Sequence, residues 1–106
     1  MNWAEIKEKY KKAWTMFAMN WGYMNPDGTF LEREFLINHY DRKLYDFFDE
    51  QGIYISIDHW PTENKPFGLS ITVGKPIHEG GFNNRTEAEI AAFTKAFEIL
   101  EHKLTA

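Results

Sequence analysis

No cysteine occurs among the 106 residues. That absence excludes a disulfide framework, a thiolate metal site and a cysteine nucleophile. Long apolar runs are missing as well. Lys7, Lys9, Lys11 and Lys12 interrupt the first twenty residues. That stretch therefore reads as neither a signal peptide nor a membrane span, and the expectation is a cytoplasmic protein with no membrane partner. Basic segments are scarce too. The net charge of −4 divides into +2 for residues 1–24, −4 for 25–52, zero for 53–85 and −2 for 86–106. No segment has the positive excess that counterion-driven nucleic-acid binding requires, so nucleic acid is not the expected partner.

Aromatic residues, in contrast, are plentiful: nine Phe, five Tyr and four Trp, or 17% of the chain. Rings bring large buried areas on stiff side chains, which lets a short chain build a solid core. With 43% hydrophobic and 26% charged residues, the composition is that of one globular domain spanning residues 1–106.

Periodicity sets the elements. Trp3, Ile6, Tyr10, Ala13, Trp14, Phe17, Trp21 and Met24 step by three and four, which predicts an N-terminal helix stopped at Gly22. Met16 and Met19 fall on its polar side. Asn25-Pro26-Asp27-Gly28 predicts a turn, and Thr29 with Glu32 forms a capping box that opens a second helical region. Phe30, Leu36, Ile37, Tyr40, Leu44, Phe47 and Phe48 give its apolar face. The region is one helix or two broken near residues 39–41, with Asp41 as a cap, and Gly52 ends it. Residues 53–60 and 67–74 alternate, with Ile53, Ile55, Ile57, Phe67, Leu69, Ile71 and Val73 on one side. They predict an antiparallel hairpin with one buried face. Residues 75–85 read as a loop in which 77–82 are a candidate third edge strand. Thr86 and Glu89 form a second capping box for a final helix striped by Ile90, Phe93, Phe97, Leu100 and Leu104. Ala88, Ala91, Ala92 and Ala96 permit close approach to a neighbour. The fold class is α+β: two layers, with N-terminal helices and a hairpin packed on a C-terminal helix.

Catalytic patterns fail on spacing. Asp46 and Glu50 are helix neighbours on a solvated face rather than a pair with divergent surroundings. His78-Glu79 has no second histidine four residues on, although His39, Asp41, Asp58, His59 and His78 are candidates to converge on a metal. Gly74-Lys75 and Gly80-Gly81 do not have the order of a phosphate-binding loop. Ser56 and Ser70 lie mid-strand, not in a nucleophile elbow. The reading is non-enzymatic, with no cofactor.

The candidate binding surface is the hairpin's outer face, with Tyr54, Asp58 and Trp60 among small polar residues. Met16 and Met19 form a second candidate patch, since methionine suits adaptable interfaces. A candidate ligand loop combines His59, Lys75 and His78. Open sheet edges make a homodimer a further expectation.

The second half of the chain resembles small proteins encoded in bacteriophage and prophage regions, a group for which no activity is established. Phe82, Thr86, Glu87, Ala88, Glu89, Ala96, Phe97, Glu98, Ile99, Leu100 and Glu101 carry the resemblance, within residues 53–104. It implies a phage-derived origin and brings no functional residues. Three readings of function follow in order: a protein-interaction module with an unidentified protein partner, a small-ligand binder with a pocket between hairpin and helices, and a weak nucleic-acid binder.

Overall fold

The computed structural model describes residues 3–20 and 42–105. Within them the order is α1 (Trp3–Lys9), α2 (Lys11–Asn20), α3 (Arg42–Glu50), β1 (Tyr54–His59), β2 (Phe67–Val73), β3 (Lys75–Phe82) and α4 (Arg85–Thr105). The α+β class is the one expected. The stop at Gly22, the 25–28 turn, the Thr29 capping box, and the choice between one helix and two across residues 30–41 lie outside the described residues.

The N-terminal stripe folds inward as its spacing predicts: Ile6, Ala13, Trp14 and Phe17 are buried. One helix was expected, and two are found, meeting at Tyr10. Tyr10 itself keeps the helical pattern, donating to the Ile6 carbonyl and accepting from the Trp14 amide, both at 2.8 Å. The Ala13 amide instead donates to Oε1 of Glu101 on α4, at 2.9 Å. A side chain inserted into the i→i−4 ladder is an established cause of such breaks. Here it also places a carboxylate at the positive end of α2.

Helix α3 buries Leu44, Phe47 and Phe48 and ends as its glycine predicts. Gly52 adopts φ +75°, its amide donates to the Asp49 carbonyl, and the Ile53 amide donates to the Phe48 carbonyl. That is a Schellman motif, and its usual apolar contact is supplied by the buried pair Phe48 and Ile53.

The hairpin forms as expected, and its register sets Ile55 opposite Ile71 and Ile57 opposite Leu69, all on the side assigned to the buried face. Residues 75–82 are not a loop but a full third strand, giving an antiparallel sheet in the order β1-β2-β3. Of its eight residues only Pro76, Ile77 and Phe82 are apolar, so β3 lacks the alternation that marks the other two. It forms because Gly74, at φ +79°, reverses the chain tightly and lays it back along β2. Its outer edge is guarded by Pro76, by the charges of Lys75 and Glu79, and by a bulge where Gly81, at φ +90°, is the extra residue. Val73, expected inside, is 37% exposed, because it sits at the turn end of β2 beyond the core cluster.

The final helix starts one cap earlier than expected. Asn84, not Thr86, is the N-cap: its Oδ1 accepts from the Glu87 amide at 2.9 Å, and Glu87 Oε2 accepts from the Asn83 amide at 3.1 Å. Asn is the stronger cap, and the return bond from Glu87 reaches one residue further back than in a capping box, to the Asn83 amide. Glu89, released from capping, accepts the Tyr45 hydroxyl at 2.9 Å. Ala88, Ala92 and Ala96 are fully buried with Phe93, Phe97 and Leu100, which lets α4 lie close against β2 and α2.

Two measurements check this account. Asn84→Ala is expected to cost about 1 kcal/mol in denaturant unfolding, and Thr86→Ala to stay within about 0.5 kcal/mol. The reverse ranking would return the cap to Thr86. Burial, then the hydrogen bond and charge of Glu89, push the Tyr45 hydroxyl above its ordinary 10.0, with Arg85 opposing. A raised folded pKa means stability that is whole below the unfolded value and lost as pH climbs above it. The loss should begin near pH ~10, and Tyr45→Phe should flatten it. Identical alkaline profiles would remove the role given to this hydroxyl.

Candidate binding surfaces

The sheet has one face on the core and one open to solvent. Ile53, Leu69 and Ile71 enter the core with Phe93 and Phe97 of α4. The alternate residues face the other way in three registered rows: Tyr54, Thr72 and Pro76; Ser56, Ser70 and His78; Asp58, Gly68 and Gly80. Tyr54 is 56% exposed and Trp60, just past β1, is 45% exposed. Both rings therefore stay outside the core, on the face the sequence assigned to them.

Ser70 sits at the centre. Its hydroxyl donates to Asp58 Oδ2 at 2.7 Å, and its Oγ lies 2.8 Å from His78 Nδ1. An ionised carboxylate only accepts, so the single hydroxyl proton points at Asp58. Ser70 Oγ then accepts from His78, which places a proton on Nδ1. One continuous row of hydrogen bonds thus crosses all three strands, diagonally from Asp58 to Ser70 and directly across to His78. The serine lies between the acid and the histidine, whereas a nucleophilic triad needs the histidine in the middle to take the serine proton. The row orders the face rather than activating Ser70.

Trp60 is anchored at the base of the β1–β2 connection. Its amide donates to the Pro66 carbonyl at 2.6 Å and its carbonyl accepts from Glu63 at 3.0 Å. Its ring lies over Gly68: a Cβ there would stand 2.5 Å from Cζ3 and 2.9 Å from Cη2 of the indole. The missing side chains of Gly68 and Gly80 make the seat that the ring fills. Beside it opens a shallow cleft of about 520 Å³ lined by Trp60, Glu63, Asn64, Lys65, Gly80 and Gly81.

The expected ligand loop does not assemble. His78 points to the outer face. His59 belongs to the opposite alternation, with its ring stacked on Phe67 at 4.6 Å and 22°, and the Arg85 guanidinium 5.7 Å from that same Phe67 ring. Lys75 pairs with Val73 at the far end of β2 from Phe67. The three residues are separated by strand alternation and strand length, neither of which is available while 75–82 is taken for a loop. His39 and Asp41 lie outside the described residues. Among the described residues no group of three or more His, Asp or Glu is placed to hold a metal, and no helix is long and apolar enough to cross a membrane.

Met16 and Met19 do come together. Met16 packs partly on the core and Met19 is 63% exposed. With Lys11, Lys12, Thr15 and Leu104 they line a groove of about 540 Å³ between α2 and the end of α4. Sequence reasoning missed Ser70 as the hub of the outer face. Once 75–82 is paired as a third strand, His78 falls opposite Ser70, and that is the signal that finds it. No family model, curated protein or solved structure matches the chain.

The seat of Trp60 is directly testable. In Gly68→Ala the new Cβ meets both the indole and the Glu79 carbonyl oxygen at 2.8 Å, so moving the ring alone does not relieve it. A loss of about 1–3 kcal/mol in unfolding free energy is expected. In Gly80→Ala the nearest of those atoms is 3.7 Å away, and the loss should be much smaller. Equal losses would contradict the packing of the ring on Gly68.

Proposed function

We propose that the protein is a non-enzymatic interaction module that presents the outer face of its sheet to a segment of another protein. The observation that supports this reading is the Asp58–Ser70–His78 row held between two exposed aromatic rings, Tyr54 and Trp60. Aromatic anchors beside fixed polar groups are the usual make-up of an interface centre, because little side-chain entropy is lost on binding. Tyr54 and Trp60 are six residues apart, so the face is about 20 Å long, and its three strands make it about 10 Å wide between outer axes. That is a few hundred Å², well below the roughly 800 Å² per partner of a standard interface. The face suits an extended segment or loop rather than a whole domain. The cleft beside Trp60 would take one side chain of that segment.

Peptides selected from a displayed random library against the whole protein provide the test. Tyr54→Ala and Ser70→Ala are each expected to weaken the selected peptides by about tenfold, equal to about 1.4 kcal/mol, while a Lys95→Ala control leaves binding unchanged. Peptides that bind all variants equally would show that this face is not the working surface.

A further inference from the structure

We infer that the groove between α2 and the end of α4 docks an acidic amphipathic helix of a partner protein. It is a different surface from the sheet face. Lys11, Lys12, Thr15, Met16 and Met19 lie along one side of α2, and Leu104 faces them from α4. From Lys11 to Met19 the run rises about 12 Å, two helical turns, with charge at one end and apolar surface at the other.

Two independent observations fix the occupant's chemistry. The first is apolar exposure. Met19 is 63% exposed while its neighbours Phe17 and Ala18 are fully buried. A methionine so placed adds little to the core, and flexible thioether side chains adapt well to an incoming apolar face. The second is charge. Lys11 and Lys12 hold the first two positions of α2, the positive end of the helix, where cations are disfavoured. Neither has an ion pair among the described residues, whereas Lys9 pairs with Glu5 and Lys95 with Glu98. Glu101, the α4 carboxylate that reaches the start of α2, is engaged by the Ala13 amide. The groove therefore offers a positive rim beside an apolar floor. A helix with acids in one turn and apolar residues at i, i+3, i+4 and i+7 complements both at once. A nucleic-acid strand would meet the lysines but leave the methionine floor unmatched.

The probe is a synthetic helix with glutamates in its first turn and leucines at those four spacings, together with a counterpart carrying lysines in place of the glutamates. Each is titrated by fluorescence anisotropy against the whole protein. The acidic helix should bind at least about tenfold tighter than the basic one, and Lys11→Glu combined with Lys12→Glu should invert that preference. Met19→Glu, at an exposed position that leaves the fold intact by circular dichroism, should weaken both helices. Tyr54→Ala should change neither, so failure here is separable from failure of the sheet-face reading. Equal binding of the two helices, a preference that survives the double lysine reversal, or a dimer that occupies the groove in light scattering would each overturn the inference.

Discussion

Phe97 joins the helices to one another. Its ring meets Trp14 at 6.5 Å and Phe17 at 6.2 Å on α2, and Phe48 at 5.0 Å on α3, all tilted or edge-on. Phe17 and Phe48 in turn close on Phe47 at 5.1 Å each. Edge-to-face pairs add about 0.5–1.5 kcal/mol each beyond the area they bury. In a short chain that extra matters, because total stability is only about 5–15 kcal/mol. The ring cluster also sets geometry. Tilted aromatic pairs tolerate few arrangements, so α2 and α3 are held at the places where Phe97 can reach both.

The last turns of α4 then fasten the ends of those same helices. Glu101 accepts from the Ala13 amide at the start of α2, and Lys103 Nζ donates to the Gln51 carbonyl at the end of α3, at 3.4 Å. An acid meets a positive helix end and a base meets a negative one, each in the sense the helix dipole favours. Two residues of opposite sign, two positions apart on one helix, thereby distinguish α2 from α3. The aromatic cluster alone does not carry that orientation, since rings attract without regard to chain direction.

This distinction explains what was legible in the sequence. Interactions local in the chain could be read: the apolar stripes of α2 and α4, the stop at Gly52, and the facing residues of β1 and β2. Interactions made between distant residues could not. Glu101 breaks the N-terminal helix at a distance of 88 residues. Strand β3 owes its existence to pairing with β2 rather than to its own pattern. Thr86 and Asn84 are both good N-cap residues, and the Glu87 amide selects Asn84. The candidate site divides the same way. Tyr54, Asp58 and Trp60 share a face by strand alternation alone, so they were found. The hydrogen bonds that tie Ser70 to Asp58 and His78 form only across strands, and His59 stands apart from His78 because it belongs to the opposite alternation, where it meets Phe67.

Among the described residues, the large rings at the two extremes of burial have different destinations. Trp14, Phe17, Phe47, Phe48, Phe93 and Phe97 make the core, and Tyr54 and Trp60 stay outside it. Exposure of the latter two is not overflow from a full core. Trp60 has its own seat on Gly68, and the row through Ser70 fills the space beside it with hydrogen bonds rather than apolar contacts. The α2–α4 groove is built on the opposite principle, with flexible methionine and lysine side chains and no fixed polar row. No residue lines both surfaces, and side chains with no shared partner act close to additively on stability. A stiff, ring-packed centre with one rigid surface and one adaptable surface lets each be altered without disturbing the other.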